Sequence, residues 1–342
     1  MLGFFDEEHR LEKLSKLGDS LVKLKHVIDW NMFRPILEKA LQRESGEKKA
    51  GRPPYDSVQM FKILVLQRLY NLSDDQIEFQ VNDRMSFMRF LGLGLGDRVP
   101  DAKTVWAFRE KLTQAGAMKE LFDCFGDGLE RAQLITRRGT IVDATFVEAP
   151  RQRNSREENK QIKDGEVPDE WKKEENANKL RQKDTDARWA VKRQEYHYGY
   201  KDHVKADAES KLVTDYEVTS ANVHDSQPLR DLVDDKDREL YADAAYDGDN
   251  IHKELPPDLK LQITEKASRH KKLTAEQRKS NRIKSKVRCR VEHVFGFMKT
   301  SMKGLAVRSI GLARATFNVG LSNLIYNICR YEFLRRPAVS AG

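Results

Sequence analysis

Apolar residues recur at steps of three and four from Leu11 to about Phe90, which is the spacing of amphipathic α-helices. The first members of this series are Leu14, Leu17, Leu21, Leu24 and Ile28. Ser73 followed by Gln76 has the form of a capping box and predicts the start of a short helix. The pattern therefore predicts an all-helical N-terminal domain. Short helices joined by tight turns are typical of helix-turn-helix domains and of plain helical bundles, and the spacing does not distinguish the two.

The apolar period changes near Thr140, where residues 140–147 are rich in β-branched side chains and carry one charge, at Asp143. Further strands are predicted at 196–206, 211–220, 239–246 and 259–264. One short helix is expected after Asp225, which would cap it, and another is expected near Ile251. A terminal helix expected to pack on the sheet carries Phe317, Leu321, Leu324, Ile325 and Ile328. This order predicts an α/β fold with a mixed sheet flanked by helices, and domains at 1–135 and 136–336.

Residues 151–195 interrupt the second domain with a highly charged segment. Of these 45 residues, 13 are Lys or Arg and 11 are Asp or Glu, and only four are Ile, Leu, Val, Phe or Met. So few apolar side chains leave little to bury, and the composition predicts a solvated, partly disordered insertion.

Composition narrows the class of protein. The 342 residues are 39% hydrophobic and 34% charged, which is typical of a folded chain with very polar parts. The net charge of +8 favours an anionic partner such as nucleic acid. Three scattered cysteines indicate neither a disulfide framework nor a thiolate zinc site. There is no signal-peptide pattern and no apolar run of membrane-spanning length, so we expect a cytoplasmic protein with no membrane partner.

Two aspartates stand out because each lies in an otherwise apolar strand. Asp143 follows Ile141 and Val142, and Asp243 lies between alanines. A buried carboxylate costs several kcal/mol unless it is paired, hydrogen-bonded or bound to a metal. Each aspartate is therefore either a functional residue or a structural one that caps a loop or pairs with an arginine.

A third carboxylate, Glu292, lies in a predicted helix over 282–299. Successive residues of a helix are rotated by ~100°, so five residues of this one fall within a sector of roughly 60° on one side. They are Ser285, Arg288, Glu292, Gly296 and Lys299. This side is either a working surface or an ordinary Arg288–Glu292 surface pair.

The stretch 266–290 has 11 Lys or Arg and one acidic residue, a balance of +10 that exceeds that of the whole chain. A run of one sign beside a carboxylate suits a polyanion held against a metal site. Carboxylates from separate elements can bind Mg²⁺ for phosphoryl transfer, and Mn²⁺ can substitute for it. The DNA-binding candidates in and beside this run are Arg282, Lys284, Lys286, Arg288, Arg290 and Lys299.

These residues resemble a known motif. Arg288-x3-Glu292-x6-Lys299 is similar to the Tyr-x2-Arg-x3-Glu-x6-Lys signature of bacterial insertion-sequence transposases, with Ser285 at the tyrosine position. Val142-Asp143-Ala-Thr and Ala242-Asp243-Ala-Ala-Tyr resemble the two aspartate strands of that family. Tyr198-Gly-Tyr-Lys-Asp-His, Val223-His-Asp-Ser and the run from Asp184 to Trp189 resemble the insertion-sequence-five group.

The resemblance implies a ribonuclease-H-like catalytic domain after a helical DNA-binding domain. It implies that Asp143, Asp243 and Glu292 form a DDE triad that binds two Mg²⁺, with Arg288 and Lys299 on DNA phosphates. It also implies cleavage at the ends of an insertion sequence and joining of the 3′-OH to target DNA by a homodimer assembled on terminal inverted repeats. Two alternatives stay open: an inactive DNA-binding protein or regulator derived from a transposase, and a structure-selective nuclease of the same fold.

Overall fold

The computed structural model describes residues 6–42, 53–248, 253, 255–267 and 272–336. They divide into two compact units: residues up to Gly128 together with those from Leu324 onward, and residues Leu129–Asn323. The second unit begins at Leu129, and the described residues from 324 to 336 belong with the first unit; the domain boundary at 135/136 stays a prediction. Within the described ranges, no helix has the length and apolar character needed to span a bilayer.

The first unit is helical, as the apolar spacing predicts. Its α-helices are α1 (Asp6–Lys16), α2 (Ser20–Val27), α3 (Arg34–Ala40), α4 (Ser57–Leu69), α5 (Asp74–Asp83), α6 (Met85–Leu91), α7 (Ala102–Gln114) and α8 (Ala117–Arg131), whose last turn enters the second unit. Helix α4 is its core, since nearly every side chain from Ser57 to Arg68 is buried. The predicted capping box at Ser73 and Gln76 is confirmed at the start of α5.

The second unit contains a six-stranded mixed sheet. Its strands are β1 (Thr140–Glu148), β2 (Arg188–Lys192), β3 (Glu195–Asp207), β4 (Val213–Ser220), β5 (Glu239–Ala242) and β6 (Lys260–Ile263). Strand β3 pairs antiparallel with β1, β2 and β4, whereas β1 and β5, and β5 and β6, pair in parallel. The predicted mixed α/β sheet flanked by helices is confirmed and is consistent with a ribonuclease-H-like fold.

Gly199 is required where β3 passes the end of β1. Its φ is +143°, a conformation that side chains disfavour. A Cβ at this position would collide with the Val147 carbonyl oxygen and lie 2.7 Å from the Ala149 nitrogen. The backbones of β1 and β3 can therefore meet here only if this residue has no side chain.

The charged segment 151–195 is folded, so the prediction of partial disorder is wrong. It contains helices α9 (Arg156–Lys163), α10 (Asp169–Lys172) and α11 (Ala177–Arg181), followed by β2. Trp171 is completely buried, and its Nε1 donates to Glu158 Oε1 (2.6 Å). The hydrogen bond from Lys179 lowers the pKa of Glu158 to about 2. The charged side chains around the buried indole of Trp171 pair with one another. Composition alone does not show this pairing.

The helices that follow the sheet strands also differ from the prediction. Asp225 does not cap helix α12 (Leu229–Leu232), which has no side-chain cap; it accepts a hydrogen bond from Lys201 instead. The helix expected near Ile251 lies outside the described residues. The helix expected over 282–299 is interrupted by a 3-10 turn at Cys289–Val291, so two helices form, α13 (Ala275–Arg288) and α14 (Glu292–Thr300). The final helix is α15 (Leu312–Leu334).

Candidate active site

The two aspartates lie level with each other on neighbouring parallel strands. Asp143 is in the middle of β1, and Asp243 directly follows β5. Thr140 pairs with Leu240 and Ile141 with Tyr241, so extending this register places position 143 opposite 243. Because adjacent strands lie about 4.8 Å apart, the sheet holds the two carboxylates side by side.

Glu292 reaches the same cleft from a different element. It is the first residue of α14 and is exposed. The cleft has a volume of about 670 Å³ and lies within the second unit. The charged residues that line it are Asp143, Asp243, Glu292, Glu148, Glu195, Lys192, Arg193, Arg288 and Lys299. The three carboxylates singled out by the sequence therefore line one cleft, together with two further carboxylates and four cations.

Asp143 is held by two donors. Its Oδ1 accepts from the Ala144 N–H (2.9 Å), and its Oδ2 accepts from Arg288 Nη1 (2.8 Å). Burial raises the pKa of Asp143; the Ala144 hydrogen bond and the Arg288 charge oppose this rise, and the Asp243 charge adds to it. Sequence reasoning considered an Arg288–Glu292 pair, but the structure pairs Arg288 with a residue 145 positions away.

The donor chemistry of these carboxylates suits a hard cation such as Mg²⁺ or Mn²⁺, which prefers oxygen ligands. Their present arrangement does not yet form a site: among the described residues, no group of three or more His, Cys, Asp or Glu is placed to hold a metal ion. Asp143 Oδ2 is occupied by the Arg288 guanidinium. Asp143, Asp243 and Glu292 thus supply suitable oxygen ligands and line the same cleft, but the Arg288 guanidinium is bonded to one oxygen of Asp143.

Comparison with known families identifies the chain. Residues 135–328 match the family described as "Transposase DDE domain", and residues 9–111 match "Transposase domain (DUF772)". This chain belongs to the DDE transposase family. Among solved structures, it is similar to a piggyBac transposase synaptic complex with hairpin DNA, at 12% identity and a TM-score of 0.44, covering 89% of this chain and 74% of that one.

The basic residues of this DDE transposase fall into two groups. Arg282, Lys286 and Lys299 are exposed. The others hold the protein itself together: Lys284 donates to the Ile263 carbonyl (2.9 Å), and Arg290 donates to the Ala208 carbonyl (2.8 Å). Helix α13 therefore offers some of its cations to solvent and uses others to dock on the sheet.

The motif from Asp184 to Trp189, to which the sequence assigned no chemistry, has a structural role. Buried Asp184 accepts from the Tyr200 hydroxyl (2.7 Å) and the Gly311 N–H (3.2 Å). Asp186 accepts from the Leu312 N–H (2.8 Å), at the first residue of α15. These two aspartates join the charged insertion to β3 and to the start of the last helix.

Sequence reasoning missed two features beside this cleft. Lys192, the last residue of β2, and Arg193, in the β2–β3 turn, lie at the end of the insertion and line the cleft. Tyr246 is buried, and its hydroxyl has no hydrogen-bond partner among the described residues. Burial, with the charges of Asp143 and nearby aspartates, raises the pKa of Tyr246 and keeps it protonated. The only sequence signal for Tyr246 was its place in the Ala242-Asp243-Ala-Ala-Tyr motif.

Proposed function

We propose that this protein is an active transposase of the insertion-sequence-five group, which cleaves DNA at insertion-sequence ends and joins the 3′-OH to target DNA. The observation that carries this proposal is the common cleft of Asp143, Asp243 and Glu292. Two of these carboxylates come from adjacent strands and the third from a helix. Carboxylates from three separate elements suit divalent ions, and the four cations that line the same cleft suit the phosphates of a phosphodiester.

The reaction comprises two displacements at phosphorus. In the first, a water oxygen attacks the phosphodiester and the bond to the 3′-oxygen breaks, which leaves a 3′-OH and a 5′-phosphate. In the second, that 3′-OH attacks a target phosphodiester and displaces the target's own 3′-oxygen. Divalent ions held by Asp143, Asp243 and Glu292 would activate the attacking oxygen and stabilise the leaving oxygen.

The cations of the cleft would bind the substrate. Lys299, exposed on α14, Lys192, at the end of β2, and Arg193, in the β2–β3 turn, would bind phosphates beside the scissile bond. Arg282 and Lys286, on the exposed part of α13, would extend this contact along the duplex. The helical unit would recognise the terminal inverted repeats, and a homodimer would hold two ends together in the bacterial cytoplasm.

The test is cleavage of a labelled duplex that carries the element end, in the presence of Mg²⁺. Asp143→Asn and Glu292→Gln should each lower nicking by about 10³-fold or more, because several kcal/mol of transition-state stabilisation are lost. Asp247→Asn, an exposed aspartate close to Asp243, is the matched control and should retain activity. Nicking unchanged in the first two variants would show that these carboxylates are not catalytic.

Strand transfer separates the proposal from its alternatives. A transposase should join the labelled end to a plasmid, whereas a nuclease of the same fold should cut without joining. An inactive DNA-binding protein should shift the duplex in a gel and leave both strands intact.

A further inference from the structure

Arg288 and Asp143 both line the cleft and contact each other. Their side chains are largely buried, with 26% and 14% of their surfaces exposed, and the charged atoms are 2.8 Å apart. The second oxygen of Asp143 accepts the Ala144 N–H. Both carboxylate oxygens therefore already have protein donors.

The guanidinium, by contrast, is only partly satisfied. Arg288 Nε is buried and has no hydrogen-bond partner among the residues that the structure describes. A guanidinium has five N–H donors in a planar fork and binds phosphate as well as carboxylate. Arg288 also lines the cleft, so its guanidinium is within reach of an anion that enters there.

We infer that Arg288 keeps Asp143 closed to divalent cations in the free protein and releases it when a DNA phosphate takes over the guanidinium. This inference rests on the proposed function, since it assigns Asp143 to the metal. A divalent ion held by Asp143 would lie beside the guanidinium that is bonded to this carboxylate, and the two cations would repel each other. A phosphate in the cleft gives Arg288 another charge-assisted partner and leaves the carboxylate free.

The other two carboxylates need no comparable release. Asp243 Oδ1 accepts a hydrogen bond from the Ala245 N–H (2.6 Å), and Glu292 is exposed at the start of α14. The exchange at Arg288 thus makes metal binding depend on DNA. By linkage, the ion and the DNA then raise each other's affinity by the same factor. Cleavage chemistry is in this way confined to protein that already holds its substrate.

The first experiment measures Mn²⁺ binding to the free protein by the electron paramagnetic resonance signal of unbound Mn²⁺, at one fixed pH for all variants. Arg288→Gln and the more apolar Arg288→Met should bind Mn²⁺ at least about tenfold more tightly than wild type. Lys299→Gln removes a positive charge from the same cleft without touching Asp143 and should stay close to wild type. Circular dichroism melts verify that each variant is folded.

A second experiment measures the affinity for a short labelled duplex by fluorescence anisotropy, with and without Ca²⁺. Ca²⁺ should strengthen DNA binding by the wild type more than by Arg288→Gln, because the variant no longer exchanges one partner for the other. An equal Ca²⁺ effect in both proteins overturns the inference.

The outcomes separate the inference from the proposed function. The inference alone is overturned if Mn²⁺ affinity is unchanged or lower in both Arg288 variants, or if Lys299→Gln gains as much affinity as they do. In both cases Asp143→Asn must still weaken Mn²⁺ binding, since that result keeps Asp143 as a metal ligand. A gain that survives when Asp143→Asn is combined with Arg288→Gln overturns both the inference and the proposed metal site.

Discussion

Charged side chains in the buried part of β3 are satisfied individually, by partners from different elements. Lys201 donates to Asp225 (2.6 Å), and Lys205 lies 2.8 Å from Asp237. Asp202 accepts from Asn323 Nδ2 (3.1 Å). These pairings explain how a strand with so many ionisable residues lies in the middle of the sheet, since a buried charge without a partner would cost several kcal/mol.

Asp202 predicts an unusual pH dependence of stability. Its burial raises its pKa from 3.8 to about 7. Between these values the unfolded chain loses a proton that the folded protein keeps, so this residue's contribution to stability is full below about pH 4 and is lost as the pH rises to about 7. Asp202→Asn has no such titration. The free energy of unfolding of the variant, relative to wild type, should therefore rise by up to about 4 kcal/mol from pH 4 to pH 8.

Urea denaturation at several pH values measures this difference. Burial of the neighbouring His203 lowers its pKa to about 4, so its contribution is present above about pH 6.5 and is lost as the pH falls. His203 is shared by both proteins and cancels in the comparison. A difference between variant and wild type that is constant with pH would contradict the assignment to Asp202.

The backbone conformation at Gly199 predicts that one added methyl group destabilises the protein strongly. Gly199→Ala forces a side chain into a positive-φ position and against the backbone of β1, so it should destabilise the protein by about 3 kcal/mol or more. The midpoint of urea unfolding measures the loss. Gly126→Ala, in helix α8 with no atom within 4 Å of the added carbon, is the control and should be neutral or slightly stabilising. Equal midpoints for the two variants would contradict this account of Gly199.

At the scale of elements, the start of α15 depends on the insertion that precedes β3. Asp184 and Asp186 accept N–H groups at Gly311 and Leu312, where the helix has no internal acceptors of its own. The charged segment 151–195 is therefore a structural part of the second unit as well as an addition to its surface. Its β2 strand also brings Lys192 to the cleft.

Asp184→Ala should consequently loosen two elements together. The substitution leaves the buried Tyr200 hydroxyl and the Gly311 N–H without their acceptor, at a cost of about 2–4 kcal/mol. Hydrogen exchange should report faster exchange both in 184–192 and at the start of α15. Exposed Asp235→Asn is the control and should leave both segments unchanged. Faster exchange confined to the insertion would show that Asp184 does not hold the helix.

At the scale of the whole molecule, charge is distributed unevenly. The stretch 266–290 has a balance of +10 while the complete chain has +8, so the remaining residues are slightly acidic. Electrostatic attraction of DNA should therefore be concentrated at the stretch that leads to Arg288 and Glu292. The salt dependence of the DNA affinity provides a count of the phosphate contacts.

The double variant Arg282→Gln/Lys286→Gln tests this count. If each exposed cation contacts one phosphate, the slope of log K against log salt should become shallower by about 1.8 in total, with similar weakening for any duplex sequence. Lys172→Gln/Lys173→Gln removes the same charge from the insertion, where both lysines pair with acidic neighbours, and should leave the slope unchanged. Fluorescence anisotropy over a salt series measures both. An equal change in the two variants would show that only total charge matters.

The candidate site could be predicted in part. Asp143 and Asp243 were found because a charge in an apolar strand is conspicuous, and Glu292 because its neighbours resemble a known motif. The partner of Arg288 could not be predicted, since helical spacing favours Glu292 four residues away while the sheet places Asp143 within 2.8 Å. The fold of the insertion was missed because composition does not show that its few apolar side chains, Trp171 and Ile162 among them, are buried.

The sequence by itself determined the kinds of element, their order, the mixed sheet and the membership of a transposase family, because these depend on periodic burial and on short motifs that neighbouring residues carry. Tertiary structure alone decided which charges meet. Asp143 faces Arg288, while Lys284 and Arg290 bind backbone carbonyls instead of solvent. Such contacts depend on strand register and on how helices dock, and both are set by packing between residues far apart in the chain.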